Sequence, residues 1–198
     1  MKALNGYSEA KATTFGDIPK LEPGGYILKI LNVKEEQTNW GTTRIALQFD
    51  VEEGENKGIF KKIYDATPDE WENKKWKGAH RLNVPQDKED GKYLKALGFF
   101  KSQIEAFEKS NNGLFINCST DWDVSVLKGK LVGAIFNEKE WEMNGNKGFF
   151  TQCKRLVPAE TIRSGKFTVP KPDMLDKSSD LGATVSDFVE IEDDGVPF

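Results

Sequence analysis

A chain of 198 residues with 37% hydrophobic and 30% charged side chains has apolar material for one compact body with extensions, and its net charge of −4 looks unsuited to nucleic acid. The charge is unevenly spread: residues 173–198 hold eight acids against Lys177 and carry −7, which leaves +3 on residues 1–172. No apolar run approaches a transmembrane length and the first residues, Met1 to Tyr7, have no signal-peptide core, which predicts a soluble cytoplasmic protein with no membrane partner.

Residues 1–19 are polar and aperiodic, an N-terminal arm ending at Pro19. Residues 26–34 are rich in β-formers and apolar on both faces in places, which predicts a first strand. A second is predicted over 42–51, where Ile45, Leu47, Phe49 and Val51 alternate with Arg44, Ala46, Gln48 and Asp50 at the period of a half-buried strand. After a polar turn, residues 58–64 alternate again and predict a third strand, with Phe60, Lys62 and Tyr64 on a binding face and Ile59, Lys61 and Ile63 on the other. Residues 67–90 are irregular, with Trp71 and Trp76 among charges. Tyr93, Leu97, Phe100, Ile104 and Phe107 form one apolar stripe, predicting a helix over 92–109 that Asn111-Asn112-Gly113 stops. Strands return over 131–141 and 149–157, joined through a hairpin turn at Asn144-Gly145-Asn146.

Three strands, a helix and a two-stranded hairpin follow the element order of the OB-fold. The expected fold is therefore all-β with one inserted helix: an OB-like, five-stranded antiparallel barrel over residues 20–158. Other small barrels with an inserted helix, or a β-sandwich, fit the same order. Beyond Pro158 the periodicity fades into Pro, Ser and Asp, predicting a flexible acidic tail over 159–198, although residues 161–169 have the composition to lie along the body.

The most specific signal is the terminal run Glu190-Ile191-Glu192-Asp193-Asp194-Gly195-Val196-Pro197-Phe198. It resembles the C-terminal tip of bacterial single-stranded DNA-binding proteins, in which the last Phe enters an apolar pocket of a partner and its α-carboxylate meets a basic residue. That resemblance implies recruitment of replication or recombination proteins through Asp193, Asp194, Pro197 and Phe198, with the upstream acids steering the encounter. A solubilising acidic segment has the same composition. The body lacks the strand sequences of the bacterial family. Residues 24–33, 47–58 and 131–136 instead resemble OB-like proteins encoded by phages of Gram-positive bacteria near replication and recombination functions. This implies a phage single-stranded DNA-binding protein acting in DNA replication and DNA recombination in a bacterial host cell.

Binding single strands without sequence preference needs aromatic faces for bases and Lys or Arg for phosphates. Trp40 in the loop after the first strand, Arg44, Lys62 and Tyr64 fall on the strand-two and strand-three face of an OB groove, and Trp141, Lys147 and Phe149 around the final hairpin. Trp71 and Trp76, interleaved with Lys74, Lys75 and Lys77, read as contacts or as a loop pinned to the barrel. Lys154 reads as a contact or a solvated edge, and Phe60 and Phe149 also read as core. Exposed aromatic edges would allow homo-oligomers.

Catalysis has no constellation to support it. His80 has no Cys or carboxylate at ligand spacing, there is no phosphate-binding Gly loop, and the acids form no recurring pair. No enzyme activity, metal or cofactor is expected. Cys118 and Cys153 read as buried free thiols of a reducing compartment. The rival to DNA binding is an OB-like adaptor that occupies host pockets through the same tip without binding DNA.

Overall fold

The computed structural model describes residues 8, 18–69, 74–86 and 92–175. Among them, β1 (Gly24–Gln37), β2 (Thr43–Val51), β3 (Ala79–Asn83), β4 (Leu131–Met143) and β5 (Asn146–Val157) form one antiparallel sheet in the order β3-β2-β1-β4-β5. The helices are α1 (Ile59–Ala66), α2 (Tyr93–Ser110) and α3 (Ala159–Arg163), with a 3-10 turn at Val124–Leu127. β3 and β5 are the two edges and do not pair, so the expected five-stranded barrel is not closed.

β2 follows its alternation. Ile45, Leu47, Phe49 and Val51 are each 1% exposed and face the core shared with α1 and α2, while Arg44 and Gln48 face the other way. Tyr26, Phe49, Phe60 and Phe136 meet edge-on or tilted, with Phe49 and Phe60 ring centres 5.4 Å apart, and form an aromatic centre to this core. The predicted helix is α2, and its stripe buries Phe100, Ile104 and Phe107. Asn111 ends α2 and joins it to β4: its amide donates to the carbonyls of Phe107 and Leu131 and its oxygen accepts from the Leu131 N–H. The β4–β5 hairpin turns on Asn144 and Gly145, both at positive φ (52° and 78°), as a two-residue turn requires.

Residues 58–64 are not a strand. They form the start of α1, which buries Ile59 and Phe60 and half-buries Ile63. Asp50 at the end of β2 decides this, because its carboxylate accepts from the N–H groups of Phe60 and Lys61 and satisfies the open end of the helix. The third strand lies further on, in the stretch expected to be irregular: β3 pairs His80 with Leu47 and Leu82 with Ile45.

The chain after β5 does not leave the body at Pro158. α3 begins against the end of α2, where the Ala159 N–H donates to Ser110 Oγ, and α3 and the strap that follows it (164–175) lie against the outer face of the sheet, the face away from Leu28, Val132 and Ala134. Ile27 and Ile135 point to this side and are buried there, 4% and 1% exposed. Two glycines make room for the cover. A Cβ on Gly133 would meet Ile162 of α3 at 2.9 Å, and one on Gly25 would meet the Phe167 ring at 2.4 Å. The strap then joins the free edge of β4. Asp173 bridges Lys139, its N–H bonds to the Glu138 carbonyl, and its carbonyl accepts from the Glu140 N–H. Its carboxylate accepts from Gln152 (2.8 Å) and Lys154 (2.7 Å), and Lys154 holds it below the usual carboxylate range.

Candidate nucleic-acid interface

Strand register arranges the outer face of β1, β2 and β3 in rows. Glu36, Arg44 and Asn83 lie opposite one another, and the next row is Lys34, Ala46 and Arg81. Two cations from neighbouring strands therefore converge on a carboxylate from a third. Arg44 Nε donates to Glu36 Oε2 at 2.8 Å, and Arg81 Nε reaches the same oxygen at 3.5 Å. The Glu36 side chain is 8% exposed, against 30% for Arg44 and 36% for Arg81, so the acid lies beneath the two bases. Their remaining N–H groups make no hydrogen bond among the described residues. Glu36 Oε1 is buried without a hydrogen-bond partner among the described residues, an arrangement that costs about 1–3 kcal/mol and calls for a compensating role.

At the end of this face, the β1–β2 turn holds Trp40, 79% exposed. The turn is braced from inside, by the Thr38–Thr42 hydroxyl contact at 2.6 Å and by Gln86 donating to the Gly41 carbonyl at 2.9 Å. The indole is thus presented on a fixed loop.

A second surface is the arm formed by β4 and β5 beyond the start of β1. Trp141, Met143 and Phe150 share its outer side and are 37%, 65% and 45% exposed. The Trp141 indole lies on Gly148, where a Cβ would come within 2.9 Å. Phe149, 48% exposed, points to the other side of the arm, opposite Glu140. Lys147 is paired with Glu142 at 2.7 Å, which raises its pKa, and Lys154 is held by Asp173.

The remaining predicted contacts are placed apart from these surfaces. Lys62 and Tyr64 sit on α1, not on a strand face; Lys62 is exposed, whereas Lys74 Nζ lies 4.8 Å over the Tyr64 ring and Trp76 packs 6.0 Å from it. Tyr64 therefore has no free stacking face on the side that Lys74 covers. Trp76 is a pin: its indole N–H donates to the Phe49 carbonyl at 3.0 Å and its ring packs on the core. Trp71, Asp193, Asp194, Pro197 and Phe198 lie outside the described residues. Of the two cysteines, both free, Cys118 is exposed rather than buried, and Cys153 is half-buried with its thiol pushed far up by burial.

Lys34, Glu36 and Arg81 were not anticipated as site residues. The alternation Ala79-His80-Arg81-Leu82-Asn83 was the available signal for Arg81. No family model matches this chain, and no curated protein matches it either. No described helix is long and apolar enough to cross a membrane, and no group of acids, His or Cys that could hold a metal occurs among the described residues.

Proposed function

We propose that this protein binds single-stranded DNA, without sequence preference, across the outer face of β1–β3, in phage DNA replication or recombination. One observation carries the reading. Among the described residues Arg44 and Arg81, on neighbouring strands, spend only their Nε donors, and the turn at the end of their face holds the exposed Trp40. Guanidinium donors suit phosphate oxygens and an open indole suits a base, the pairing that sequence-tolerant single-strand binding uses. The strand order supports the same reading, since β3-β2-β1-β4-β5 is the OB order with its closing seam left open. In that fold, strands two and three and the loops β1–β2 and β4–β5 form the groove, where Trp40, Arg44, Arg81 and Trp141 fall. Recruitment of replication or recombination proteins through Asp193, Asp194, Pro197 and Phe198 completes the proposal on the sequence of the tip.

Titration with oligo-dT and with duplex DNA at two salt concentrations tests it. Tryptophan emission should quench on adding oligo-dT, duplex should bind less tightly, and affinity should fall as salt rises because phosphate counterions are released. Silence at low salt removes the reading. It would favour the adaptor instead, which occupies host pockets through the same C-terminal tip without binding DNA.

A further inference from the structure

We infer that Glu36 is a positioning residue: it holds Arg44 and Arg81 edge-on so that the pair receives one backbone phosphate. The inference rests on the nucleic-acid reading above and adds a component that electrostatics alone would leave out.

A carboxylate that simply neutralises an arginine takes it side-on, with two parallel N–H···O bonds to its two oxygens. Glu36 does otherwise. One oxygen serves the Nε groups of two arginines, and the other is buried without a partner among the described residues. Each guanidinium has five N–H donors, and among the described residues each uses only its Nε, so the Nη edges are left for a ligand. Arg44 stands directly opposite Glu36, whereas Arg81 comes from one strand further and one row over, behind the small side chain of Ala46. Without an anchor on β1, two long side chains on β2 and β3 would sample many rotamers and meet a phosphate rarely in the required geometry. Two guanidiniums on one carboxylate still leave a positive site, with Lys34 exposed in the next row.

The inference has a distinctive sign. Glu36 puts a negative charge beneath a site for anions, so on charge alone its removal should tighten binding. A positioning role predicts the reverse. Full-length wild type, Glu36→Ala, Glu36→Gln and Arg81→Ala are titrated with fluorescent oligo-dT by anisotropy between about 50 and 200 mM salt, after thermal melts establish that each is folded. Glu36→Ala should bind about ten-fold more weakly with a salt slope flatter by about one, the mark of a lost phosphate contact, and should resemble Arg81→Ala. Glu36→Gln keeps an oxygen that accepts from both Nε groups, so it should recover part of the loss and bind no tighter than wild type. If Glu36→Ala binds more tightly with a steeper slope, Glu36 is only a countercharge and the inference falls. Should Glu36→Ala fail to fold, Glu36→Gln decides: binding tighter than wild type overturns the positioning role. A wild type that binds no oligonucleotide overturns the nucleic-acid reading itself, which is a different result from a wild type that binds and a variant that binds better.

Discussion

The outer face of the sheet is used in two ways. Over the start of β1 and over β4 it is apolar and covered: Ile27 and Ile135 are buried, and α3 and the strap lie on them across Gly25 and Gly133. Over the end of β1, β2 and β3 the same face is polar and open, with Lys34, Arg44 and Arg81 in adjacent rows. The backbone is one antiparallel sheet throughout. What differs is side-chain chemistry, and that decides whether the chain must cover the surface itself or can leave it for a ligand. An apolar face left open would lose about 25 cal/mol per Å² of burial. A face bearing two guanidiniums is already comfortable in water, so it can remain uncovered without that loss.

The largest expected effect breaks the covered half. A chain ending at Pro158 would expose Ile27 and Ile135, each worth roughly 1.5–3 kcal/mol of burial, and would lose the Arg163–Glu53 ion pair. Its urea midpoint should fall well below that of the full chain, whereas a chain ending at Leu175 should unfold like the full chain. If both truncations unfold alike, the strap contributes nothing and the contrast between the halves is wrong. A smaller change in the same half is Gly133→Ala. Its Cβ would press on the Pro158 and Val157 carbonyls, 2.8 and 2.9 Å away, and backbone cannot yield as a side-chain tip can, so a loss of about 1–3 kcal/mol is expected by chemical denaturation.

The open half should respond in the opposite manner. Arg81→Ala removes a partly exposed partner of Glu36 at a long 3.5 Å while Arg44 stays in place, so stability should change by under about 1 kcal/mol. Oligo-dT affinity should still drop about ten-fold. Trp40→Ala should leave the melting temperature unchanged, since the indole is 79% exposed, and should cost roughly 1–3 kcal/mol of binding if a base stacks there. A melt shifted by either variant with DNA affinity intact would make this half structural as well.

How far the sequence disclosed this division depends on which contacts are local. β2, α2 and the final hairpin were legible because one period, or one turn dipeptide, dominates each. Residues 58–64 satisfied both the period of a strand and that of a helix, with Ile59, Phe60 and Ile63 fitting either. The choice was made by Asp50, an acid that reads as an ordinary outward residue of β2 until its carboxylate is seen on the N–H groups of Phe60 and Lys61. β3, five residues long after a charged stretch, was too short to stand out. The first strand did read as apolar on both faces, which signals a cover on each side. The cover itself uses few apolar residues, chiefly Ile162 and Phe167, in a segment whose fading periodicity and Pro, Ser and Asp content predict a flexible tail, although residues 161–169 have the composition to lie along the body. In the candidate site, Arg44 and Trp40 were proposed from alternation and from polar, turn-adjacent sequence. Arg81 and Glu36 were not, because their meeting depends on which strand pairs with β2. The tip residues rest on sequence alone.

The smallest predicted effect uses β3 itself, where consecutive residues lie on opposite sides of the sheet. Arg81 faces the open surface, and His80 faces the core side opposite Leu47. Burial lowers the His80 pKa from 6.5 to about 4, against a hydrogen bond with Gln103 that favours the charged ring. In the unfolded chain the imidazole regains its ordinary value, so between pH 6.5 and about 4 the unfolded state binds more protons than the native one. Stability from His80 is thus fully present above pH 6.5 and is lost progressively as pH falls toward 4. Urea midpoints measured across this window should decline for wild type. His80→Gln, which cannot take up the proton, should decline less. The carboxylates that titrate over the same range are shared by both proteins and cancel, so the difference isolates His80. Oligo-dT affinity of the two, compared at pH 7.5, should be the same, since the ring points away from Arg44 and Arg81. Equal pH slopes in wild type and His80→Gln would mean that His80 is solvated, and that β3 does not present opposite environments on its two sides.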